Sequence, residues 1–417
     1  MVFLTHYFPP EVGAPQTRMI ELAQRLTQAG DAVTVLTAFP NYPTGVIPGS
    51  YRGRFAMEEN MDGVRVLRRW IFATPNAGVF KRLVNHFSFV ISSVTAVRAL
   101  GRTDVIFVQS PPLPIGIAAV ILSKLKRAPF VFNVSDVWPK SAIELGMLTN
   151  PLAITLAEAL ERFIYRHAAR ITVPTTGIYD ELAARGIPRD KLFHLTNGVD
   201  VDLFHPAAPD PVLARRLGID GRKVFMYAGT HGLSQGLDVI LEAAKLATNP
   251  EILFVLAGDG ADKPALVRKA EAERIANVRF LPSQSKTSMP DLLNLAYAAV
   301  IPLKPLAVFK SALPSKMYES MAVGQPIVAS MWGQAADLVR AADCGIVSQP
   351  GDATALRDAV ESLAAHPEAA RRMGGRGREY AVEHFNRRRI AVRLRGLLQE
   401  TASKRRRAPV GFKASPG

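Results

Sequence analysis

The run Leu313-Pro314-Ser315-Lys316-Met317-Tyr318-Glu319, ending in Gly324-Gln325-Pro326, joins residue types that can hold an anion and a polyol side by side. It reads as a short helix, with Ser315 as N-cap and Gly324 and Pro326 as its stop. Lys316 then falls in the first turn, where a cation opposes the positive end of the helix dipole and costs about 0.3–1 kcal/mol unless an anion sits nearby. Glu319 comes one residue too late for a capping box. A helix tip with a lysine binds anions, and a carboxylate one turn further in accepts hydrogen bonds from hydroxyls. Together they suit a nucleotide sugar, with the diphosphate at the tip and the ribose on Glu319. The competing reading is a plain surface helix with an ill-placed lysine.

Three other loops carry candidate chemistry. Tyr227-Ala228-Gly229-Thr230-His231-Gly232-Leu233-Ser234-Gln235-Gly236 offers glycines with hydroxyl, imidazole and amide donors, which suits a phosphate cradle at Gly229, Thr230, His231 and Gly232. It matches neither the P-loop nor the dinucleotide fingerprint, which argues against an NTPase and an NAD enzyme. His231 is either a ligand contact or a surface residue. Phe8 to Arg18 carries Gly13, whose missing side chain permits close approach to a ligand at a helix tip. Val134-Ser135-Asp136-Val137-Trp138-Pro139 makes Asp136 an acid, a base or a helix cap. The eight histidines are scattered, without His-x-x-x-His or Cys-x-x-Cys spacing, so no metal site is expected.

Positioning these loops requires strands that end at them. Short β-branched runs alternate with helical stretches, the pattern of parallel sheets flanked by helices. Strands are predicted at 2–5, 32–37, 64–68, 105–109, 130–133 and 170–173, with helices such as 17–29 and 152–168 between them. After the Asn197-Gly198 turn signal, a second series follows at 224–228, 252–257, 278–281, 299–301, 327–329 and 345–347. The fold class is therefore α/β, with two doubly wound Rossmann-like domains facing a cleft, because ligands of such sheets bind beyond the strands' carboxyl ends. The expected divisions are 1–199, 200–386, and a helix over 387–401 that crosses back onto the first domain. A basic, disordered tail is expected over 402–417.

The chain has 417 residues, 48% apolar and 21% charged, with a net charge of +15 and a single cysteine, Cys344. One cysteine excludes an internal disulfide and suits a reducing compartment. The opening residues lack the basic region of a signal peptide, and no uninterrupted apolar run is long enough to span a bilayer, so a cytoplasmic protein is expected. Arg52, Arg54, Arg65, Arg68, Arg69, Lys81 and Arg82 precede Leu83 to Ile91, a segment able to form an apolar-faced helix. That combination suggests peripheral contact with the anionic inner face of the cell membrane, at ~1 kcal/mol per cation near the surface. An ordinary solvated face is the alternative. Nucleic acid is disfavoured, since no aromatics interleave with the cations and no nucleic-acid motif is present.

These residues resemble, over nearly the whole chain, the retaining glycosyltransferases of the family 4 type, which have the two-domain GT-B fold. The matching pieces occur in the family's order. They are Pro9-Pro10-Glu11 with Gly13, Asp31 to Thr37, Asn197-Gly198-Val199-Asp200 with Phe204 and Pro206, Tyr227-Ala228-Gly229, Ala257-Gly258-Asp259-Gly260, Pro314-Ser315-Lys316 through Glu319, Ala322 to Pro326, and Gly351-Asp352. Phe39 to Pro43 and Asp136 to Pro139 resemble the subgroup that adds amino sugars during surface polysaccharide assembly.

The resemblance implies a UDP-sugar donor and no required cofactor or metal. Glu319 would hold the ribose, the tip at Ser315 and Lys316 the diphosphate, the Gly229 to Gly232 loop its other side, and Pro282 and Ser283 the base. Ser311 and Leu313 would line the same site from the preceding loop. It further implies retention at the anomeric carbon and a lipid-linked or saccharide acceptor. Three departures stand out: Ser311 replaces a family glutamate, Ser135 a histidine, and Thr230 and Gln235 an Arg/Lys pair. His231 and Lys316 are the expected substitutes for the cations, and Asp136 for the acid, alongside Glu319 and Lys316 as catalytic residues. A nucleotide-sugar epimerase, or a non-catalytic membrane-binding protein with a degenerate site, are the alternatives.

Overall fold

The computed structural model describes residues 1–42, 44–75 and 78–407. Pro43 of the Phe39 to Pro43 run and the 408–417 part of the tail lie outside them. The chain divides into two units, Met1–Thr196 with the chain from Arg388 onward, and Asn197–Arg387. These borders fall three residues before and one after those expected.

The first unit is an eight-stranded sheet. Its strands are β1 (Val2–Leu4), β2 (Thr34–Ala38), β3 (Ala56–Met61), β4 (Val64–Arg69), β5 (Ile106–Ser110), β6 (Phe130–Val134), β7 (Arg170–Val173) and β8 (Leu192–His194), in the order β3-β4-β2-β1-β5-β6-β7-β8. Pairing is parallel except for β3 with β4. The six strands read from the sequence are present. The two edge strands β3 and β8 were not anticipated: β8 is only three residues long, and β3, AMEENM, is polar and half exposed, as suits a sheet edge. The buried central strands are near-continuous apolar runs, since both faces are covered.

One face is covered by helix Ala14–Gln28 through Met19, Leu22 and Leu26, and by helix Arg387–Arg407 through Ile390, Leu394, Leu397 and Leu398. The other is covered by helices Val79–Val94, Ile115–Lys126, Pro151–His167 and Thr176–Ala184. The last helix does not stop at 401; it runs on to Arg407, with Lys404 paired to Glu400 one turn back at 2.5 Å. That replaces the disordered tail expected over 402–407.

The second unit is a six-stranded, all-parallel sheet of β9 (Lys223–Ala228), β10 (Ile252–Ala257), β11 (Val278–Leu281), β12 (Ala298–Pro302), β13 (Ile327–Ser330) and β14 (Gly345–Ser348). Its order, β11-β10-β9-β12-β13-β14, reverses between β9 and β12. The loops leaving those two strands flank the topological switch point, where ligands of doubly wound sheets bind. They are the 229–237 loop and the 303–314 segment singled out above.

Three of the seven cations expected at a membrane, Arg65, Arg68 and Arg69, are spent inside the first unit. Arg68 is fully buried in β4, where its Nε donates to Glu59 at 2.5 Å and its Nη1 to the Ala38 carbonyl at 3.2 Å. Arg69 is buried as well, donating to the Arg68 carbonyl, and Arg65 is bidentate with Glu58. Alternation along β4 sends these cations onto cross-strand acids of β3, a pairing invisible until that strand is recognised.

Candidate functional site

The second unit gathers the polar candidates at its switch point. Helix Ser315–Ala322 begins one residue earlier than the capping argument expects: Pro314 is the N-cap, extended at φ −60° and ψ 134°, and no side chain caps the helix. Ser315 is thus the first helical residue rather than the cap, and the tip keeps backbone N–H groups for a ligand.

Lys316 does not suffer at this tip. Its ammonium reaches toward β9, donating to Tyr227 Oη at 2.5 Å and Gln235 Oε1 at 3.0 Å, and it lies 4.1 Å from the centre of the Tyr227 ring. Two of its three N–H donors are used, leaving one for a ligand. Tyr227 Oη in turn donates to the Thr230 carbonyl at 2.6 Å, so one chain of hydrogen bonds fixes the lysine and the glycine loop together. Burial pulls the Lys316 pKa down to about 7, with Glu319 pulling the other way.

Close backbone approach explains the glycines. A Cβ on Gly229 (φ 145°) would lie 3.1 Å from Lys316 Cε, and one on Gly258 (φ 146°) only 1.9 Å from the Gly229 carbonyl oxygen. The loops after β9 and β10 therefore touch through their backbones, in conformations that favour glycine.

Glu319 lies one turn beyond Lys316, half-buried. Burial raises its pKa, while Arg387, Lys316 and Lys286 act to lower it. Burial in turn lowers Lys286 to about 8 and Arg387 to about 10. Three cations surround Glu319, with Asp200 a second carboxylate acting on Arg387, so cations outnumber acids there and favour an anion. Sequence reasoning missed two of them. Lys286 had a signal, being a cation in a loop at the carboxyl end of a strand, beyond Pro282 and Ser283. Arg387 had none, since only the fold brings it to Glu319. Its guanidinium also donates to the Asn197 carbonyl at 3.4 Å and to the Gly198 carbonyl.

The remaining predicted residues of this unit fall around that core. Thr230 is exposed, Gly232 half-buried, and Pro282 and Ser283 exposed after β11. Lys263 stitches the ends of β10 and β11 by donating to the Gly258 and Leu281 carbonyls at 2.7 and 2.9 Å. Ser311 ends a 3₁₀ turn over Ala307–Ser311, and Leu313 packs on the core. His231 is a correction: it is fully buried rather than on the surface, and burial together with Lys263 and Lys316 lowers its pKa to about 4. It is neutral near pH 7 and does not replace a missing cation.

The first unit holds the other two predicted residues. Gly13 is the N-cap of helix Ala14–Gln28, where a Cβ would meet Gln16 Oε1 at 2.5 Å. Nearby Glu11 is a strut, its carboxylate accepting the backbone N–H groups of Phe8, Asn41 and Tyr42 at 3.1, 2.7 and 2.8 Å. Asp136 follows β6 and accepts from Ser141 Oγ at 2.7 Å; burial raises its pKa. It borders a cavity of about 450 Å³ lined also by Tyr7, Arg82, Trp138 and Met147. It does not cap helix Lys140–Glu144, whose N-cap is Pro139. Ser135 accepts from Gln109 and Asn133 in a closed amide network. Among the described residues no group of three or more His, Cys, Asp or Glu is placed to hold a metal ion, and no helix is long and apolar enough to cross a membrane.

Two family models match in tandem: a glycosyl transferase 4-like domain over residues 13–198 and glycosyl transferases group 1 over residues 212–380. The chain belongs to the family 4 type of glycosyltransferases, with the GT-B fold. Among its relatives, WcaI of Escherichia coli (strain K12), a glycosyl transferase named for colanic acid biosynthesis, is 26% identical over 313 residues, covering 73% of this chain and 76% of WcaI. A GDP-mannose-dependent alpha-mannosyltransferase of Mycobacterium tuberculosis is 26% identical over 364 residues, 85% of each chain. Among solved structures, Anabaena HepE in complex with UDP-glucose superposes with a TM-score of 0.72 at 16% identity, over 96% of this chain and 100% of that one. This family 4 chain is thus a glycosyltransferase built on two Rossmann-like domains.

Proposed function

We propose that this family 4 protein is a retaining glycosyltransferase that moves a sugar of the N-acetylhexosamine type from a UDP-sugar to a lipid-linked acceptor during cell-surface polysaccharide assembly. The observation that carries the donor half is the placement of Lys316 and Glu319 on one helix at the switch point, against the Gly229 loop. The helix tip and the Lys316 ammonium would take the diphosphate, Lys286 and Arg387 would add positive field, and Glu319 would accept from the ribose hydroxyls.

In the reaction, the bond from the sugar's C1 to the diphosphate breaks and its electron pair leaves with the phosphate oxygen. These fixed donors stabilise that developing charge better than water would, because they need no reorganisation. The acceptor oxygen bonds to C1 on the face just vacated, so configuration is retained. Asp136 is assigned the acceptor's proton; burial raises its pKa, the direction that makes a carboxylate a stronger base.

UDP is preferred because HepE was solved with UDP-glucose, while the mannosyltransferase relative is named for GDP-mannose and makes GDP the competing donor nucleotide. Working at the inner face of the membrane fits the exposed stripe of helix Val79–Val94, where Phe80 and Ile91 are 78% and 71% exposed beside Lys81 and Arg82. This stripe is the segment singled out with Lys81 and Arg82 in the sequence, without the contribution of Arg65, Arg68 and Arg69, which are engaged within the sheet.

Calorimetric titration with UDP, GDP and ADP tests the donor site. Selective binding of UDP is expected, weakened at least about 100-fold in Glu319→Ala with an unchanged melting temperature. Equal binding by the variant would remove the ribose assignment, and selective GDP binding would replace the donor.

A further inference from the structure

We infer that the cavity of the first unit holds the apolar chain of a phosphate-bearing lipid, with the phosphate at Arg82; as the acceptor's anchor, this rests on the lipid-linked reading above. The cavity, of about 450 Å³, is large enough to enclose a drug-sized group. Its walls are mainly Leu83, Pro111, Leu113, Trp138, Met147 and Leu148.

Three of the polar side chains that reach it are engaged with the protein itself. Asn41 Nδ2 donates to the Phe39 carbonyl at 3.0 Å. Asn85 Nδ2 donates to the Phe72 carbonyl at 2.8 Å, and its Oδ1 pairs with His6 Nε2 at 3.2 Å. Ser141 Oγ donates to Asp136 at 2.7 Å. A sugar ring buried against Leu83, Pro111, Leu113, Met147 and Leu148 would leave hydroxyls facing an apolar wall, and unpaired buried hydroxyls are costly. A hydrocarbon chain needs no partners and gains roughly fourfold in affinity per methylene buried.

The charges also select the ligand. Arg82 is the lining cation, and His86 beside it, its pKa lowered to about 4 by burial and by Arg82, stays neutral near pH 7. Asp136, the lining carboxylate, is engaged by Ser141, and Tyr7, raised to about 12, remains a neutral phenol. An anionic head at Arg82 therefore meets a cation of the lining, with Lys81 exposed beside it on helix Val79–Val94. The mouth continues the same chemistry outward: Leu83, Leu145 and Met147 both line the cavity and are exposed, and Phe80, Phe87 and Ile91 extend the apolar surface along the helix. A chain seated in the cavity thus has an apolar path to a bilayer.

The test titrates the full chain with butyl, octyl and dodecyl phosphate, each below its micelle concentration, beside dodecanol, glucose 1-phosphate and inorganic phosphate. Expected are an affinity that climbs with chain length and then levels off, a roughly tenfold weakening of dodecyl phosphate but not dodecanol in Arg82→Gln, and loss of both chains in Met147→Glu. Binding of glucose 1-phosphate or inorganic phosphate as tight as dodecyl phosphate, or no dependence on chain length, would overturn the inference. UDP binding is measured in the same samples. If UDP binds and the chains do not, this inference fails alone; if the chains bind and no nucleotide does, the transferase reading fails and the lipid cavity stands.

Discussion

The two units handle charge in opposite ways. In the second, Lys316, Lys286 and Arg387 converge on one carboxylate at a backbone tip without a side-chain cap, and the surplus is positive. In the first, charges are consumed as scaffolding. Arg68 is locked to Glu59, Glu11 pins three backbone N–H groups, and the fully buried Glu161 is paired with Arg185. A buried ion pair that completes its own hydrogen bonds has nothing left to offer a ligand, whereas a cation cluster in excess over its acids has. The contrast teaches that counting arginines does not locate a binding surface; the balance of cations over acids at one place does.

Removing the surplus should break the second unit's site first. Lys316→Met is expected to weaken UDP by roughly 10–100-fold, as for a lost charge-assisted hydrogen bond, while uridine changes little. Parallel calorimetry with UDP, uridine and dodecyl phosphate measures this. Equal losses for UDP and uridine would contradict the phosphate role, and a change in dodecyl phosphate binding would blur the distinction between the units.

Removing a spent cation should act on folding instead. Arg68→Met leaves Glu59 without its buried partner and is expected to cost on the order of 3 kcal/mol of stability. The urea unfolding midpoint should fall accordingly, with UDP affinity of the folded protein unchanged. A stable variant with altered UDP binding would show that Arg68 is not scaffolding.

A gentler probe is pH. Free Lys316, with its pKa lowered to about 7, loses its proton above that pH, whereas a bound diphosphate favours the ammonium and raises the pKa. Binding therefore takes up a proton above pH 7, and UDP affinity should fall by up to tenfold per unit as pH rises. Below 7 it should be flat until Glu319, whose pKa is raised, protonates and loses its accepting role. In Lys316→Met the fall that begins at pH 7 should be lost, leaving the smaller fall as Lys286, lowered to about 8, gives up its proton.

Much of this was legible in the chain. The twelve strands expected from β-branched runs are present, because buried parallel strands are short, apolar and ended by glycine or proline. The Lys316–Glu319 pair was legible because a lysine in a first turn breaks a local rule, and broken local rules tend to mark functional sites. What could not be read depends on distant chain. Arg387 meets Glu319 only through the fold, and Tyr227 receives Lys316 only because β9 and helix Ser315–Ala322 flank one switch point. The basic run 65–69 misled for the same reason. Its acids, Glu58 and Glu59, lie on a polar edge strand that carries little signal of its own.

The smallest effect concerns where the first unit meets lipid, and it separates spent from unspent cations most finely. Lys81 is exposed on the helix whose Phe80 and Ile91 face outward, whereas Arg65 is held bidentate by Glu58 and Lys404 by Glu400. A cation near an anionic surface is worth ~1 kcal/mol, or about fivefold. Lys81→Gln should therefore lower binding to phosphatidylserine vesicles about fivefold without changing binding to neutral ones. Arg65→Gln should do much less, because its charge is already answered by a carboxylate that would have to be abandoned. Lys404→Gln should likewise have little effect, and a larger loss there than at Lys81 would move the lipid contact from helix Val79–Val94 to the C-terminal helix.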